Sequence, residues 1–228
     1  MEMNFNEGKA MFKDFRLFFK EFQSNFTSTG AIAPSSPQLS RAILKPIRNR
    51  PLRPIKVLEV GPGTGAFTFD ILKLLKPGDT LHIYELNEKL FQHLKKKIAS
   101  KSKNIERINV QLWQTDIRTL KSGIRYDYII SSVPFVNLNS RVFCEIMDNY
   151  LRHLAPEGVI SYFEYILPYR LRLQFLKPGE HQRVKRCIST MKSYLRKHQV
   201  AHDHVWLNLP PASARHLKKQ QSQPVSKT

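Results

Sequence analysis

The sequence is poor in cysteine, in acidic residues and in long apolar runs. Its two cysteines, Cys144 and Cys187, lie far apart in apolar-periodic segments, which argues against a disulfide framework. We expect both to be reduced, buried thiols in a cytosolic protein. No apolar stretch approaches the roughly 20 residues that span a bilayer. Charges interrupt the N-terminus every few residues, so we also expect no signal peptide.

The shortage of acidic residues gives the chain a strong positive charge. Its 37 Lys and Arg residues outnumber its 18 Asp and Glu residues, for a formal net charge of +19. This excess favours an anionic partner, either a nucleic acid or a lipid surface. The length of 228 residues suits one sizeable α/β domain with a full core.

Three glycines at alternate positions follow an apolar run near residue 60. Gly61, Gly63 and Gly65 come directly after this run, and a helix-like segment follows them. Glycine lets the chain turn sharply and lets its backbone approach a ligand closely. The spacing differs from the dinucleotide pattern, and Glu59 stands two residues before the first glycine. The segment therefore predicts a ligand cradle between a strand and a helix.

Two acidic residues follow later strands. Glu85 lies near the C-terminal end of the β-rich segment 80–86, about 20 residues after the glycines, which is the distance typical of a ribose-binding acid. Asp116 follows the apolar run 108–113. Each acid taken alone is equally compatible with an ordinary strand-end or helix-cap residue. Their order behind the glycine turn favours a ligand site.

Strands and helices alternate along the chain, which is the pattern of a doubly wound parallel sheet. We predict strands at 56–61, 80–86, 108–113, 126–133 and 158–166, with a sixth near 203–209. We predict helices at 39–44, 66–75, 87–100, 139–154 and 179–198, with Ser35 or Ser36 capping the first of these. The polar, proline-broken tail 212–228 is predicted to be disordered and basic.

A stripe of phenylalanines marks the N-terminal arm, residues 1–29. Between residues 9 and 26 these phenylalanines recur at alternating steps of three and four, which aligns them on one face of an amphipathic helix. This face packs on the sheet or, because lysines flank it, lies in a membrane interface. Both hold if the helix docks in one state and inserts in the other. The membrane interpretation assigns contact with lipid to Phe12, Phe15, Phe19 and Phe22.

The segment after the predicted fourth strand reads Ser131-Ser132-Val133-Pro134-Phe135. It is similar to the substrate loop of methyltransferases that act on exocyclic base nitrogens, where Asn or Asp precedes a proline and an aromatic residue. This chain keeps the proline and the aromatic ring but has Ser132 in place of the Asn or Asp. The departure disfavours a nucleic-acid substrate.

The glycine turn with its two glutamates resembles motif I of the class I S-adenosylmethionine-dependent methyltransferases. Together with residues 30–36, the 131–135 loop and residues 206–212, it resembles the bacterial phospholipid N-methyltransferase family over most of residues 9–212. The resemblance implies a Rossmann-like fold, S-adenosyl-L-methionine as cofactor and S-adenosyl-L-homocysteine as product. It also implies stepwise methylation of phosphatidylethanolamine toward phosphatidylcholine.

The resemblance implies a membrane-binding arm at 1–29 and a methyltransferase domain at 30–211. The expected cofactor contacts are Ile32, Ser35, Glu59, Gly61, Gly63, Gly65, Glu85, Leu86, Asp116, Ile117 and Ser131. The expected catalytic residues are Ser132, Phe135, Tyr165 and Tyr169, with Glu164 as a further candidate. The expected ligands of the headgroup phosphate are Arg170, Arg172 and Lys177, with Arg183, Lys185 and Arg186 as further candidates.

We expect the partners to be an anionic phospholipid membrane and a phospholipid substrate, with no DNA, at the cytoplasmic face of the cell membrane. His202 and His204 flank Asp203, but no further ligand lies at a metal-like spacing, so we expect no metal. Two alternatives stay open. One is an RNA adenine N-methyltransferase, with RNA as its partner. The other is a non-catalytic membrane-binding module that has kept the cofactor fold.

Overall fold

A computed structural model describes residues 36–101, 107–121, 123–166, 180–208 and 210–220. Seven strands form one sheet in the order β3-β2-β1-β4-β5-β7-β6. The strands are β1 Lys56–Val60, β2 Thr80–Tyr84, β3 Asn109–Trp113, β4 Tyr126–Ser131, β5 Leu154–Tyr165, β6 Gln199–Val205 and β7 Ala212–Leu217. The first five strands are parallel, and β7 runs antiparallel to both of its neighbours.

Helices cover both faces of this sheet. They are α1 Pro37–Ile43, α2 Lys45–Arg48, α3 Thr68–Leu74, α4 Glu88–Ala99, α5 Ser140–His153 and α6 Glu180–His198. Side chains of a strand point alternately to the two faces. Leu58 and Ile129 therefore join a core cluster that includes α5 and α6, whereas Val57 and Ile130 join a second cluster that includes α1, α3 and α4. The predicted doubly wound α/β fold is confirmed.

The helices begin where the sequence offers polar caps. The side chains of Ser36, Asn87 and Asn139 accept hydrogen bonds from backbone N–H groups in the first turns of α1, α4 and α5. A cap of this kind stabilises a helix by about 1 kcal/mol. The capping role of Ser36 is one of the two predicted alternatives. All five predicted helices are present within two residues of their predicted bounds.

The end of the chain differs from the prediction. The tail was expected to be disordered from residue 212, but residues 212–217 form β7, inside the sheet between β5 and β6. The sixth strand begins at Gln199 and ends at Val205, earlier than predicted. Ala212 and Ala214 are fully buried, and their small side chains let β7 fit beneath α1. The strand therefore lacks the β-branched residues that usually indicate one in a sequence. The antiparallel strand β7 also makes the sheet mixed rather than wholly parallel.

The two cysteines differ in their surroundings. Both are free thiols, as predicted, and Cys187 is buried in the core. Cys144 is only half-buried, so the prediction of a buried thiol is wrong at this position. It lies on α5 at the margin of the core cluster, where it packs against the buried residues without being enclosed by them.

The phenylalanine stripe of the N-terminal arm lies outside the described residues, and so do Ile32, Ser35, Tyr169, Arg170, Arg172 and Lys177. Within the part of the chain that is described, no helix has the length and apolar character needed to cross a membrane.

Candidate active site

The glycine turn after β1 lies at the carboxyl end of the parallel strands. Gly61, Gly63 and Gly65 all have positive φ angles, of 65°, 60° and 88°, which other residues rarely adopt. A Cβ atom on Gly65 would lie 2.8 Å from a methyl carbon of Leu94, so this glycine packs against α4. A Cβ atom on Gly63 would meet nothing within 4 Å. Gly63 therefore presents bare backbone to open space, as a ligand cradle requires.

Glu85 connects the glycine turn to the start of α4. Its side chain is fully buried, and its two oxygens accept hydrogen bonds from the backbone N–H groups of Gly63 at 3.0 Å and Asn87 at 2.8 Å. Burial raises its pKa to about 7, although these backbone donors act in the opposite direction. Each oxygen keeps acceptor capacity for a ligand hydroxyl. Leu86, beside it, is half-buried.

Glu59 is a buried acid without a hydrogen-bond partner. Its side chain is fully buried, and neither carboxyl oxygen has a partner of ordinary hydrogen-bond geometry, even though Thr68 lies close enough to lower its pKa in part. Burial and, to a smaller extent, the nearby Glu85 raise the pKa of Glu59 to about 8. An unpartnered buried carboxyl is costly, so the site is complete only with a donor or a cation opposite it.

Asp116 lies at the end of the next strand, where it was predicted, but it already has a partner. It caps the short turn Ile117–Thr119, and its two oxygens accept hydrogen bonds from the guanidinium group of Arg118 at 2.7–3.2 Å. Arg118 also contacts Glu145 on α5 at 2.9 Å. A ligand amino group at Asp116 would therefore share these oxygens with Arg118. Ile117 is buried beneath the turn.

Two adjacent serines at the end of β4 point in different directions. The hydroxyl of Ser131 lies in the core, 3.0 Å from the Tyr150 hydroxyl. Ser132 donates its backbone N–H to the carbonyl of Val60 at 2.9 Å, which ties the substrate loop to the glycine turn. Its side chain is half-buried and lines a pocket. Of the two, Ser132 is the one whose side chain is available to a substrate.

The pocket that Ser132 lines has a volume of about 160 Å³ and lies beyond the ends of β4 and β5. Its wall is formed by residues 132–137, by Phe163, Glu164 and Tyr165, and by Met191 of α6. Three of the four predicted catalytic residues, Ser132, Phe135 and Tyr165, thus meet in one place.

Phe135 contributes to this pocket as part of its floor. Only 2% of its surface is exposed. Its ring packs edge-on against three others, with centroid distances of 5.3 Å to Phe143, 6.3 Å to Tyr150 and 5.1 Å to Tyr162. The prediction that its ring face meets a substrate is therefore not supported. The half-buried rings of Phe163 and Tyr165, in edge contact with each other at 5.5 Å, form the aromatic wall instead.

Charge in the pocket is neutralised by an ion pair that the sequence did not reveal. Glu164 accepts a hydrogen bond from Nε of Arg215 at 2.8 Å, and Arg215 also contacts Gln199 at 3.1 Å. Arg215 lies on β7, the strand that was predicted to be disordered, so this partnership had no signal in the sequence. Burial raises the pKa of Tyr165 to about 12, so this hydroxyl keeps its proton at neutral pH.

Two segments that carry the family resemblance meet in space. The backbone N–H of Ser36 donates to Oδ1 of Asn208 at 3.0 Å, across 172 residues of sequence. Asp203, between the two histidines considered as metal ligands, forms an ion pair with Lys45 at 2.9 Å and lies 3.6 Å from Nε2 of His216. The described residues contain no group of three or more His, Cys, Asp or Glu side chains with a metal-binding arrangement.

A family described as a methyltransferase domain matches residues 58–160, which run from within β1 to within β5 and include the glycine turn and Glu85. The chain contains a class I S-adenosylmethionine-dependent methyltransferase domain. The methyltransferase is similar in fold to the N-methyltransferase NodS from Bradyrhizobium japonicum in complex with S-adenosyl-L-homocysteine. Their TM-score is 0.58 at 15% identity, over 82% of this chain and 89% of that chain.

Two curated proteins are also similar in sequence. The ornithine lipid N-methyltransferase of Singulisphaera acidiphila is 28% identical over 156 residues, which are 65% of this chain and 77% of that protein. The ribosomal RNA small subunit methyltransferase A of Desulforapulum autotrophicum is 32% identical over 108 residues, which are 47% of this chain and 36% of that protein.

S-adenosyl-L-methionine is the cofactor of this domain, and the residues at the glycine turn fit it. The bare backbone at Gly63 leaves room for the ligand, and Glu85 retains acceptor capacity for ribose hydroxyls. Glu59 offers a buried carboxyl without a partner to a ligand that carries positive charge. The individual contacts assigned to these residues remain predictions.

Proposed function

We propose that the methyltransferase transfers methyl groups to the amine of a membrane lipid headgroup, with phosphatidylethanolamine and its mono- and dimethyl forms as substrates. The observation that carries this proposal is the pocket beyond β4 and β5, which joins the cofactor turn through the bond between Ser132 and Val60. Its aromatic wall and neutralised carboxylate suit a small amine. The similarity to an enzyme that methylates ornithine lipid supports a lipid substrate.

The residues of the pocket act mainly by orienting the amine. When bound, the cofactor supplies a methyl group that its sulfonium activates toward in-line attack. Holding the amine in line with it removes much of the entropic barrier, up to ~7–11 kcal/mol in favourable cases. Ser132, Phe163 and Tyr165 line the pocket. In this proposal Ser132 accepts a hydrogen bond from the nitrogen, and the two rings face a methylated cation.

The proton that the amine must lose is not taken by a tyrosine of this pocket. The raised pKa of Tyr165 makes it a hydrogen-bond donor, not a base, at neutral pH. Glu164 is held by Arg215 across the β5–β7 pair. We therefore propose that the amine reaches the pocket from the aqueous side of the headgroup layer and releases its proton to solvent.

We further propose that the methyltransferase is a peripheral protein of the cytoplasmic membrane face. Its net charge of +19 favours anionic lipid. The phenylalanine stripe of residues 9–26 is the predicted lipid-binding helix.

RNA adenine methylation is the second candidate, because one similar protein is a ribosomal RNA methyltransferase and because the net charge also suits RNA. Two features of the loop disfavour it. Ser132 stands where base methyltransferases carry Asn or Asp, and the ring of Phe135 is buried in the core, where it cannot stack on a base.

Labelled methyl transfer distinguishes these functions. Purified protein is incubated with labelled S-adenosylmethionine and, in separate reactions, with vesicles of phosphatidylethanolamine, vesicles of ornithine lipid, and ribosomal RNA. We expect label in phosphatidylethanolamine, with monomethyl and dimethyl products resolved by chromatography. Label in ornithine lipid alone would reject the phosphatidylethanolamine assignment, and label confined to RNA would reject a lipid substrate. An absence of heat on titration with the cofactor would favour a non-catalytic module.

A further inference from the structure

The turn between β6 and β7 carries two large apolar side chains that face solvent. Trp206 is 67% exposed and Leu207 is 77% exposed. Resting on the proposed function, we infer that this turn is a membrane-contact element, which inserts Trp206 and Leu207 into the headgroup region of an anionic bilayer and so directs the substrate pocket toward the lipid.

The described residues of the turn are held by hydrogen bonds on either side of the two exposed side chains. Asn208, which is 5% exposed, accepts from the backbone N–H of Ser36 and donates its side-chain amide to the carbonyl of Pro210 at 2.7 Å. Its own backbone N–H points to the carbonyl of Val205 at 3.4 Å. The turn is thus anchored to the start of α1, and it holds its two apolar side chains outward.

The turn lies at the same edge of the sheet as the substrate pocket. Ala212, the first residue of β7, pairs with Tyr165, which lines the pocket. One residue further on, the backbone N–H of Ile166 donates to the carbonyl of Pro211 at 2.7 Å. A bilayer that receives Trp206 and Leu207 therefore lies against the end of β5 where the pocket opens.

The charge around the turn suits anionic lipid. The helices α1 and α6 both begin at this edge, and they expose Arg41, Lys185 and Arg186. Two nearby acids are already paired, Glu164 with Arg215 and Asp203 with Lys45. Glu180, at the start of α6, is one further acid. Basic residues each add about 1 kcal/mol of attraction to an anionic surface.

The bilayer is a better occupant than a protein partner. A stable protein interface needs about 800 Å² from each partner, whereas one large aromatic side chain supplies about 150–250 Å². Two side chains fall well short of that area. Tryptophan is suited to the membrane interface because it combines an apolar ring with a polar N–H group.

Intrinsic fluorescence tests this inference, because the chain has only two tryptophans. In the Trp113→Phe variant of the full chain, Trp206 is the sole tryptophan, and its emission is excited selectively at wavelengths that tyrosine does not absorb. We expect its emission to shift to shorter wavelength on vesicles of phosphatidylglycerol and phosphatidylcholine, and to be quenched when the lipid chains carry bromine. Leu207→Ser tests the turn, and Leu52→Ser is its matched control. Leu52 is also exposed, at 96%, but it precedes β1 at the opposite edge of the sheet. Leu207→Ser should weaken vesicle binding about tenfold, and Leu52→Ser should leave it unchanged.

Unshifted emission from vesicle-bound protein overturns the inference, and so does a failure of the protein to bind the vesicles. Binding of S-adenosyl-L-homocysteine by each variant reports that it is folded. Methyl transfer to a short-chain phosphatidylethanolamine dissolved as monomers tests the proposed function without a bilayer. Transfer without insertion of Trp206 rejects the membrane turn alone, and insertion without transfer rejects the lipid methyltransferase alone.

Discussion

The two halves of the carboxyl edge of the sheet differ in how their acidic side chains are partnered. Beyond β1 and β2, Glu59 and Glu85 are fully buried, and neither forms an ion pair with any described residue. Beyond β5, Glu164 is paired with Arg215. The half beyond β1 and β2, here called the cofactor half, is therefore incomplete without a ligand that donates hydrogen bonds or carries positive charge. In the half beyond β5, here called the substrate half, the charge of the acid is already neutralised by its partner.

This difference indicates how the two ligands are selected. Buried carboxylates that lack an ion-pair partner favour a cationic ligand strongly, because charges interact more strongly where water is excluded. A neutral aromatic pocket offers no such attraction, so the lipid amine must be delivered by contacts outside the pocket. Under the proposed function, a membrane surface would supply that delivery. The cofactor half thus contributes mainly affinity, and the substrate half contributes mainly orientation.

The largest expected effect concerns the pH dependence of stability. The pKa values of Glu59 and Glu85 are raised to about 8 and about 7, so folding is favoured while these groups hold their protons. Their stabilising contribution is complete below their ordinary pKa and is lost as pH rises through the raised values. We expect the free protein to lose about 4 kcal/mol of unfolding free energy between about pH 6 and pH 9, measured by denaturant titration.

The Glu59→Gln variant is the control for this decline, because glutamine does not ionise. Its unfolding free energy should fall much less over the same range, and its affinity for S-adenosylmethionine should be reduced. An equal decline in the variant and the parent chain would show that the unpartnered acid does not distinguish the two halves.

The next largest effect concerns cofactor affinity. Glu85→Ala removes a buried carboxylate that also holds Gly63 and Asn87. The loss of two hydrogen bonds to a charged group should weaken binding of S-adenosyl-L-homocysteine about 100-fold, measured by calorimetry. Glu88→Ala, at an exposed position three residues later, should leave the affinity unchanged. Equal affinities in both variants would remove Glu85 from the site.

The cofactor half was predictable because its signals are local. A strand, three glycines and a helix follow each other between Lys56 and Leu74, and Glu85 comes at the distance that a Rossmann-like ribose site sets. Glu59 was named from the same motif. Its lack of a partner was not predictable, since that depends on which side chains of α3 face it.

The substrate half was harder to predict because distant segments build it. The ring of Phe135 is covered by Phe143 and Tyr162. The thiol of Cys187 on α6 donates to the backbone carbonyl of Phe135 at 3.2 Å. No local sequence pattern predicts those contacts. Arg215 was missed because β7 consists largely of small and polar residues, which resemble a tail.

Asp116 shows the same limit within a short segment. Its position after β3 was predicted from the apolar run before it, but its ion pair with Arg118 was not. Residues two apart in sequence do not face each other in a regular helix, so this spacing gave no reason to pair them. The short turn that Asp116 caps brings the guanidinium group back onto the carboxylate.

The smallest expected effects separate the adjacent serines of the substrate loop. Ser131→Ala leaves the buried Tyr150 hydroxyl without its partner, so the unfolding free energy should fall by about 1–2 kcal/mol while kcat changes little. Ser132→Ala should lower kcat on phosphatidylethanolamine about tenfold with unchanged stability, because its hydroxyl faces the pocket. Denaturant unfolding and initial rates measure the two effects. If both variants lost only stability, the substrate half would have no polar group that orients the amine, and the division of roles between the halves would fail.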